Sequence, residues 1–128
     1  MSKIIKTQNA PAAIGPYSQA VCTGNLVFTS GKIAINPRTG NVEAQTIEGQ
    51  TVQVCENIAE LLKASGTGIE KVIKTTCFLQ NMEDFAAFNA VYEKYFLSKP
   101  ARSCVAVKQL PKNVLVEIDT IAEILEDK

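Results

Sequence analysis

Two stretches of the chain repeat apolar side chains every three or four residues, and this spacing predicts two amphipathic helices. The first helix is expected over residues 46–65, with Gly66 as its C-terminal stop. The second follows Asn81, whose short polar side chain suits an N-cap, and is expected to run until Pro100 ends it. The apolar positions are Val54, Ile58, Leu61 and Leu62 in the first helix and Phe85, Phe88, Val91, Tyr92, Tyr95 and Phe96 in the second.

Shorter segments rich in β-branched or alternating apolar residues predict the strands. These segments are residues 3–6, 17–22, 26–30, 71–79, 102–108 and 114–124. Gly24 and Asn25 tolerate positive φ, so the second and third strands are expected to form a β-hairpin. About half a dozen strands and two helices predict an α+β protein in which the helices cover one face of a sheet.

The last predicted strand has apolar residues on both of its faces. One face presents Val114, Val116 and Ile118, and the other presents Leu115, Glu117, Asp119 and Ile121. A monomer would therefore expose a broad apolar sheet face, which soluble monomers avoid. We expect an oligomer in which sheets pack on sheets, although periodicity alone does not give the number of subunits.

Composition narrows the function classes. The chain has 128 residues, of which 46% are hydrophobic and 20% are charged, as is typical of a folded globular protein. No linker or internal repeat divides it, so residues 1–128 are expected to form one domain. Thirteen Lys and Arg balance thirteen Asp and Glu, and a chain without a basic excess is a poor candidate for a nucleic-acid partner.

The residue types that are missing or isolated are equally informative. The chain has no histidine, which excludes Ser-His-Asp and Cys-His catalytic sites and disfavours the commonest catalytic zinc sites. General acid–base chemistry therefore falls to Glu, Asp, Cys, Tyr or Lys. The four cysteines form no Cys-x-x-Cys motif, and no apolar run resembles a signal peptide or a membrane span. A reducing cytoplasm is the expected location, with no membrane partner.

Three residues on the last two predicted strands are candidates for chemistry. The planar guanidinium of Arg102 matches both oxygens of a carboxylate, although a solvated surface charge explains this residue equally well. Glu117 interrupts the apolar run VLVEIDTI, either as a general base or water holder near Arg102 or as an outward-facing residue. A short turn over 109–113 would bring Cys104 roughly opposite Glu117 on an antiparallel neighbour. Cys104 is then either a nucleophile beside Arg102 or a small core residue.

Two loop positions are weaker candidates. Tyr17 follows Gly15-Pro16 and is expected either to line a pocket or to pack at the end of a loop. Ser30-Gly31 ends a strand, where a glycine lets a ligand approach backbone N–H groups closely, although a plain turn accounts for it equally.

A family resemblance extends over almost the whole chain. The segments that carry it are APAAIGPYSQA at 10–20, GNLVFTSGKIAINPRTG at 24–40, NMEDFAAFNAVYEKYF at 81–96, PARSCVAVKQLPKNVLVEID at 100–119 and the terminal IAEI. The most specific element is PARSCV followed by LPK and a Glu-bearing strand. The chain resembles the RidA/YjgF family of reactive enamine/imine deaminases, which is also described as endoribonuclease L-PSP or translation inhibitor proteins.

The resemblance implies a fold, an assembly and a reaction. The fold would be chorismate-mutase-like, a mixed β-sheet with two helices on one face, and three subunits would pack their sheets into a central barrel with active sites between subunits. The implied substrates are 2-aminoacrylate and 2-aminocrotonate, with their imine tautomers, which PLP-dependent dehydratases release from serine and threonine. The products would be a 2-keto acid and ammonia, and no metal or organic cofactor is implied.

The resemblance also implies roles for the strand candidates. Arg102 would grip the substrate carboxylate, Glu117 would position and activate water, and the backbone or thiol of Cys104 would face the same water or the imine. Because an iminium carbon is already electrophilic, its hydrolysis needs little beyond orientation and water delivery.

Other residues would border the implied ligand. Tyr17 matches the GPY motif, Ser30-Gly31 matches the stretch whose backbone lies against the ligand, and Asn89 belongs to the F-N-x-V-Y pattern near the cleft. The chain departs from many relatives in the short LSK segment before Pro100, and this difference bears on substrate range more than on chemistry.

Three other functions are alternatives at this point. The same pocket would serve a non-catalytic binder or regulator that senses small 2-keto acids, but Arg102 favours catalysis because some family members lack this arginine. An endoribonuclease or translation inhibitor would need clustered Lys and Arg, which the balanced charge does not suggest. Chorismate mutase itself would share only the fold, and fold does not determine function.

Overall fold

The computed structural model describes residues 2–124 as a six-stranded sheet with two long helices. The strands are β1 (Lys3–Ile5), β2 (Ala20–Thr23), β3 (Leu26–Thr29), β4 (Val72–Leu79), β5 (Ala101–Ala106) and β6 (Val116–Glu123). The helices are α1 (Ile47–Ala64) and α2 (Phe85–Tyr95), and single 3-10 turns cover Ile69–Lys71, Met82–Asp84 and Pro111–Asn113. The α+β class predicted from the sequence is confirmed.

The strand order across the sheet is β1-β2-β3-β6-β4-β5. Neighbouring strands are antiparallel except β4 and β5, which are parallel and connected through α2. The predicted hairpin joins β2 to β3, where Thr23 pairs with Leu26 and Gly24 adopts a φ of +57°. The last strand in the chain therefore lies inside the sheet, while β5 forms one edge.

The prediction that Cys104 lies across from Glu117 on a neighbouring strand is wrong. β4 lies between β5 and β6 and pairs with both, so that Cys104 pairs with Cys77 and Glu117 pairs with Phe78. The connection through α2 makes β5 parallel to β4. Residues 107–115 therefore carry the chain past the end of β4 to its other side, instead of closing a hairpin.

Helix α1 matches its predicted limits because both ends are capped. The hydroxyl of Thr46 accepts a hydrogen bond from the backbone N–H of Gly49 at 3.0 Å. At the other end, Ser65 is the C-cap and Gly66 adopts a φ of +89°, which a residue with a Cβ rarely takes.

Helix α2 ends well before Pro100. Asn81 caps the 3-10 turn ahead of the helix by accepting a hydrogen bond from the N–H of Glu83 at 2.9 Å. After Tyr95, Phe96 leaves the helical conformation with φ −95° and ψ 66°. Its buried ring stacks on Tyr92 with 4.4 Å between ring centroids. Burial of this ring, and not the proline, therefore ends the helix.

The core lies between the two helices and one face of the sheet. Burial alternates along β6, where Val116, Ile118, Thr120 and Ala122 are buried. The largest fully buried apolar side chains are Phe88, Ile58, Leu61, Leu62, Leu79, Ile118, Val27, Val54, Val72, Val114 and Val116. The apolar residues predicted from helix spacing and from strand alternation therefore pack together in one core.

The opposite face of the sheet, which we call the open face, carries a row of apolar side chains. Ile4, Val21, Phe28 and Ile121 are successive register partners across four strands. Phe28 is 40% exposed, and no helix of residues 2–124 covers this row. This is the face from which an oligomer is predicted.

Replacing Leu62 by alanine should lower the free energy of unfolding by about 2–5 kcal/mol, because a fully buried side chain leaves a cavity. The matched change Leu97→Ala, at a leucine that is 73% exposed, should cost less than about 0.5 kcal/mol. Urea unfolding of both variants at one protein concentration measures the difference. Equal losses would contradict the assignment of the α1 apolar face to the core.

Candidate active site

Arg102 lies on the helix-covered face of β5, held by α2. It pairs in register with Thr75, whose hydroxyl shares a 2.7 Å hydrogen bond with the hydroxyl of Tyr92. The guanidinium lies 4.8 Å from the ring centroid of Tyr92 and 5.4 Å from that of Phe85. Its Nη1 donates a 2.6 Å hydrogen bond to Oδ1 of Asn89. Asn89 is thus a residue that orients Arg102.

This arrangement leaves the guanidinium ready to bind an anion. Arg102 lines a cavity of about 520 Å³, whose wall also includes Asn89, Tyr92, Phe96, Leu97 and Lys99. Within residues 2–124, Asn89 is the only acceptor hydrogen-bonded to the Arg102 guanidinium, so its other N–H groups are available to a carboxylate. Leu97 and Lys99 belong to the LSK segment before Pro100, for which an effect on substrate range is predicted, and they border the cavity directly.

Cys104 lies two residues beyond Arg102, on the same face of the sheet. Its side chain is partly buried, and burial raises the pKa of the thiol although Arg102 acts in the opposite direction. A thiol that stays protonated is a weak nucleophile. The geometry therefore favours Cys104 as a packing residue beside Arg102 over a covalent catalyst.

A second cavity, of about 320 Å³, surrounds Glu117. Its wall includes Tyr17, Gly31, Lys32, Ile33, Lys112 and Glu117. Gly31 lies directly against the Glu117 side chain, since a Cβ added to Gly31 would lie 2.8 Å from the carboxyl carbon. Absence of a side chain at position 31 thus lets the carboxylate lie across the backbone there.

The loop that carries Tyr17 is tied down by one buried glutamine. The Nε2 of Gln19 donates to the backbone oxygens of Thr7, Ala10 and Pro11, and its Oε1 accepts from the N–H of Thr7 at 2.8 Å. The Tyr17 side chain is 48% exposed at the end of this loop. Loop closure by Gln19 therefore presents Tyr17 to the cavity.

Ser30 has a structural task in the same region. Its hydroxyl donates a 2.6 Å hydrogen bond to the backbone oxygen of Ser18, and its N–H donates to the backbone oxygen of Gln19 at 3.0 Å. These contacts join the end of β3 to the Tyr17 loop, while the neighbouring Gly31 borders the cavity.

Asn57 and Gln50, two polar residues of α1 that were not predicted as site residues, bind backbone groups at the Glu117 cavity and just before Glu117 in the chain. Asn57 Nδ2 donates to the backbone oxygens of Ile33 and Ile35 at 3.2 and 2.9 Å, and Gln50 Oε1 accepts from the N–H of Leu115 at 2.8 Å. The sequence did contain a signal for both residues, because they are polar positions on the mostly apolar, buried stripe of this helix. Buried amides of this kind are retained where they satisfy backbone groups.

Glu117 lies on the open face next to Asp119. Partial burial raises the pKa of the Glu117 carboxyl, Asp119 raises it further, and Lys32 lowers it. The pKa of Asp119 is also raised by burial, against the effect of a hydrogen bond from Thr76. Glu117 is therefore the more basic kind of carboxylate that a proton-transfer role requires.

Lys32, another residue not singled out from the sequence, is 4% exposed although it is a lysine. Its backbone forms both hydrogen bonds of an isolated bridge to Ile118, at 2.7 and 3.1 Å. Burial lowers the pKa of its amine to about 8, against the field of Glu117, which raises it. The sequence offered little indication of this burial, because a lysine within the run LVFTSGKIAI is equally typical of an exposed loop.

Within one chain, Arg102 and Glu117 do not converge. Arg102 shares its face of the sheet with Thr75, and Glu117 shares the opposite face with Phe78. The Arg102 cavity and the Glu117 cavity consequently have no lining residue in common. Within one chain, the two predicted site residues therefore line two separate cavities.

Residues 2–124 contain no group of three His, Cys, Asp or Glu side chains arranged to hold a metal ion. Neither α1 nor α2 has the length and apolar character needed to cross a bilayer.

Comparison with known proteins identifies the family. A family model described as Endoribonuclease L-PSP matches residues 7–124. The chain belongs to this family. Relatives within it carry different descriptions: AldR of Lactococcus lactis, a candidate regulator, is 53% identical over 123 residues, or 95% of this chain and 98% of that protein. The 2-iminobutanoate/2-iminopropanoate deaminase of Escherichia coli K12 is 48% identical over 126 residues, with the same coverage.

The fold of this L-PSP family member also matches a solved structure with a ligand. TdcF of Escherichia coli, solved with bound serine, has a TM-score of 0.89 and 44% identity, and the match covers 94% of this chain and 98% of that one. The resemblance to the RidA/YjgF family inferred from the sequence is confirmed.

Stability should depend on the pH through Lys32. Its pKa is about 8 in the folded chain against an ordinary value of 10.5, so between these pH values the unfolded chain binds more protons than the folded one. Raising the pH from 8 to 10.5 should therefore stabilise the native protein relative to Lys32→Met, by at most about 3 kcal/mol.

Urea unfolding of the native protein and of Lys32→Met at pH 7 and pH 10 checks this dependence. Lys32→Met should be the more stable of the two at pH 7, and the difference should shrink at pH 10. A difference that is independent of pH would show that the Lys32 amine is solvated.

Proposed function

We propose that this chain is a 2-iminobutanoate/2-iminopropanoate deaminase, a hydrolase that needs no metal or organic cofactor. It would convert the reactive enamine and imine products of PLP-dependent serine and threonine dehydratases into 2-keto acids and ammonia. The observation that carries the proposal is Arg102, oriented by Asn89 and two aromatic rings toward a cavity, with donors left for a carboxylate.

Recognition in this proposal depends on the substrate carboxylate. A 2-imino acid carries its carboxylate next to the imine carbon, so a guanidinium that binds both carboxylate oxygens also fixes the position of that carbon. Tyr92 and Phe85 restrict the rotamers of Arg102, which reduces the entropy lost on binding. Imines without a carboxylate would be bound poorly.

The hydrolysis then requires one water and one base. Glu117 accepts a proton from water as the water oxygen bonds to C2 of the iminium, and the C2–N π electrons move to nitrogen to give a neutral carbinolamine amine. The Glu117 carboxyl then returns its proton to that nitrogen, the C2–N bond breaks, and ammonia leaves as the hydroxyl becomes the keto group. The proton released from that hydroxyl ends on ammonia, so that iminium and water become 2-keto acid and ammonium. The raised pKa of the Glu117 carboxyl suits both transfers.

A complete site in this mechanism needs two copies of the chain. Arg102 and Glu117 lie on opposite faces of the sheet, and the open face carries an uncovered apolar row. We propose a homotrimer in which sheets pack through that row and the Arg102 cavity of one copy meets the Glu117 cavity of the next. Association through the apolar row would then assemble the active site and bury the exposed side chains in one step.

The comparisons support this proposal at the level of the family. A relative 48% identical is named for this deaminase activity, and TdcF was solved with serine, a small molecule with a carboxylate next to an amine-bearing carbon. The description of AldR as a candidate regulator supports the second candidate, a non-catalytic sensor that uses the same carboxylate site. Turnover distinguishes the two.

Arg102→Ala should lower kcat/KM for 2-imino acids about 100-fold, since two charge-assisted hydrogen bonds to the carboxylate are lost. Arg102→Lys should recover part of the loss, because lysine keeps the charge without the planar fork. The assay generates 2-imino acids with an amino-acid oxidase, traps free imine with semicarbazide, and follows the enzyme-dependent fall in trapped product.

Arg38→Ala is the matched control, because Arg38 is the only other arginine of the chain and lies exposed in the turn at 36–40. It should keep native activity. No acceleration by the native protein with serine-derived and threonine-derived imines, together with Arg102-dependent binding of 2-oxobutanoate, would establish the sensor instead.

Mixing two inactive variants tests the shared site. Arg102→Ala and Glu117→Gln, co-expressed with different tags and purified through both, should regain activity if each site takes its arginine and its glutamate from different copies. In a trimer, about one site in three would contain both native residues. Either variant alone should stay near background, and sedimentation should show about three subunits. Absence of regained activity in folded mixed oligomers would refute the shared site.

A further inference from the structure

The candidate base Glu117 has a buried cation beside it in the fold. Lys32 follows Gly31, whose backbone lies against the Glu117 side chain, and it bridges to Ile118, the residue after Glu117. A lysine that is 4% exposed is rare unless its charge is compensated or has a function.

The ammonium of Lys32 is not compensated by direct contact. Within residues 2–124, its Nζ forms no hydrogen bond and is not among the fully buried polar atoms that lack a partner, so the ammonium keeps access to solvent at the cavity that Lys32 lines. Lys32 pairs with Ile118, the residue after Glu117, and it lines the same cavity as Glu117. Their charges consequently interact without direct contact.

The ionisation of Glu117 depends on several charged groups around it, of which Lys32 is one. Asp119 on the same strand face opposes ionisation of Glu117, and Lys32 favours it. Lys74 acts on Asp119 from β4, while Tyr17 and Lys112 border the same cavity as Glu117. Lys32 is the member of this set that is both buried and positively charged.

We propose that Lys32 is a positioning residue that keeps the Glu117 carboxyl ionised, and that it thereby sets the lowest pH at which Glu117 takes a proton from water. The inference rests on the proposed deaminase function for its consequence in activity, but the coupling between Lys32 and Glu117 does not depend on turnover. In this proposal the charge of Lys32 lowers the free energy of unfolding, but it keeps Glu117 in the carboxylate form that a base needs.

The coupling is measured directly by carbon-13 NMR of glutamate carboxyl groups during a pH titration. The Glu117 signal is assigned by its absence from the spectrum of Glu117→Gln. Lys32→Gln should raise the titration midpoint of Glu117 by about half a unit to one unit, and Lys32→Arg, which keeps the charge, should stay near the native midpoint. Lys63→Gln, which removes an exposed positive charge at the end of α1, is the control and should leave the midpoint unchanged.

The activity readout is the pH profile of imine hydrolysis. The acid limb of kcat/KM should move to higher pH in Lys32→Gln by the same amount as the NMR midpoint, with native rates regained above it. A uniform loss of rate at every pH would instead indicate a structural role for Lys32 and would overturn the inference.

The two proposals fail separately. An unchanged Glu117 midpoint in folded Lys32→Gln, or a Lys32→Arg variant that behaves like Lys32→Gln, overturns the role of Lys32 even when imine hydrolysis is observed. A shifted midpoint together with no imine hydrolysis by the native protein would uphold the coupling and overturn the deaminase function.

Discussion

Neighbouring residues of a β-strand point to opposite faces of the sheet, and in this protein the two helices cover one of those faces. Arg102 and Cys104 share the covered face of β5, whereas Glu117 and Asp119 share the open face of β6. The group suited to bind a carboxylate and the group suited to move a proton are therefore separated by the sheet itself. In the proposed function, chemistry that needs both groups would therefore depend on association of chains through the open face.

Helix α1 supports the Glu117 side of this arrangement. It supplies core side chains and, from the same buried stripe, the amides of Asn57 and Gln50. A purely apolar stripe would pack against the sheet but would leave the backbone groups of Ile33, Ile35 and Leu115 without these partners. The polar interruptions of the helix thus shape the cavity wall, and Gln19 does the same for the loop that carries Tyr17.

The surroundings of Arg102 and of Glu117 also differ in their electrostatics. The Arg102 half is preorganised by contacts with two aromatic rings and by one hydrogen bond to an amide. In the Glu117 half, burial and Asp119 raise the pKa of the Glu117 carboxyl, whereas Lys32 lowers it. The charges of Asp119 and Lys32 can in turn titrate or be screened by salt. The proposed proton transfer at Glu117 is consequently expected to depend on pH and on these neighbouring charges.

Local pattern alone was sufficient for the secondary structure and for the presence of two differently used sheet faces. Helix α1, the β2-β3 hairpin and the alternation along β6 follow from spacing, capping residues and Gly24, because these signals act over a few residues. The end of α2 did not follow, because Phe96 is drawn out of the helix by a ring that lies in the core.

The chain by itself determined the residue types available for chemistry: with no histidine, an arginine and a glutamate on strands were the natural candidates. Tertiary structure decided where they lie. Insertion of β4 between β5 and β6 separated Cys104 from Glu117 and placed Arg102 on the far face, because strand order depends on the crossover through α2 and not on neighbours in sequence. Burial of Lys32 was decided there too, because its bridge to Ile118 brings the residue against the sheet and leaves it only 4% exposed.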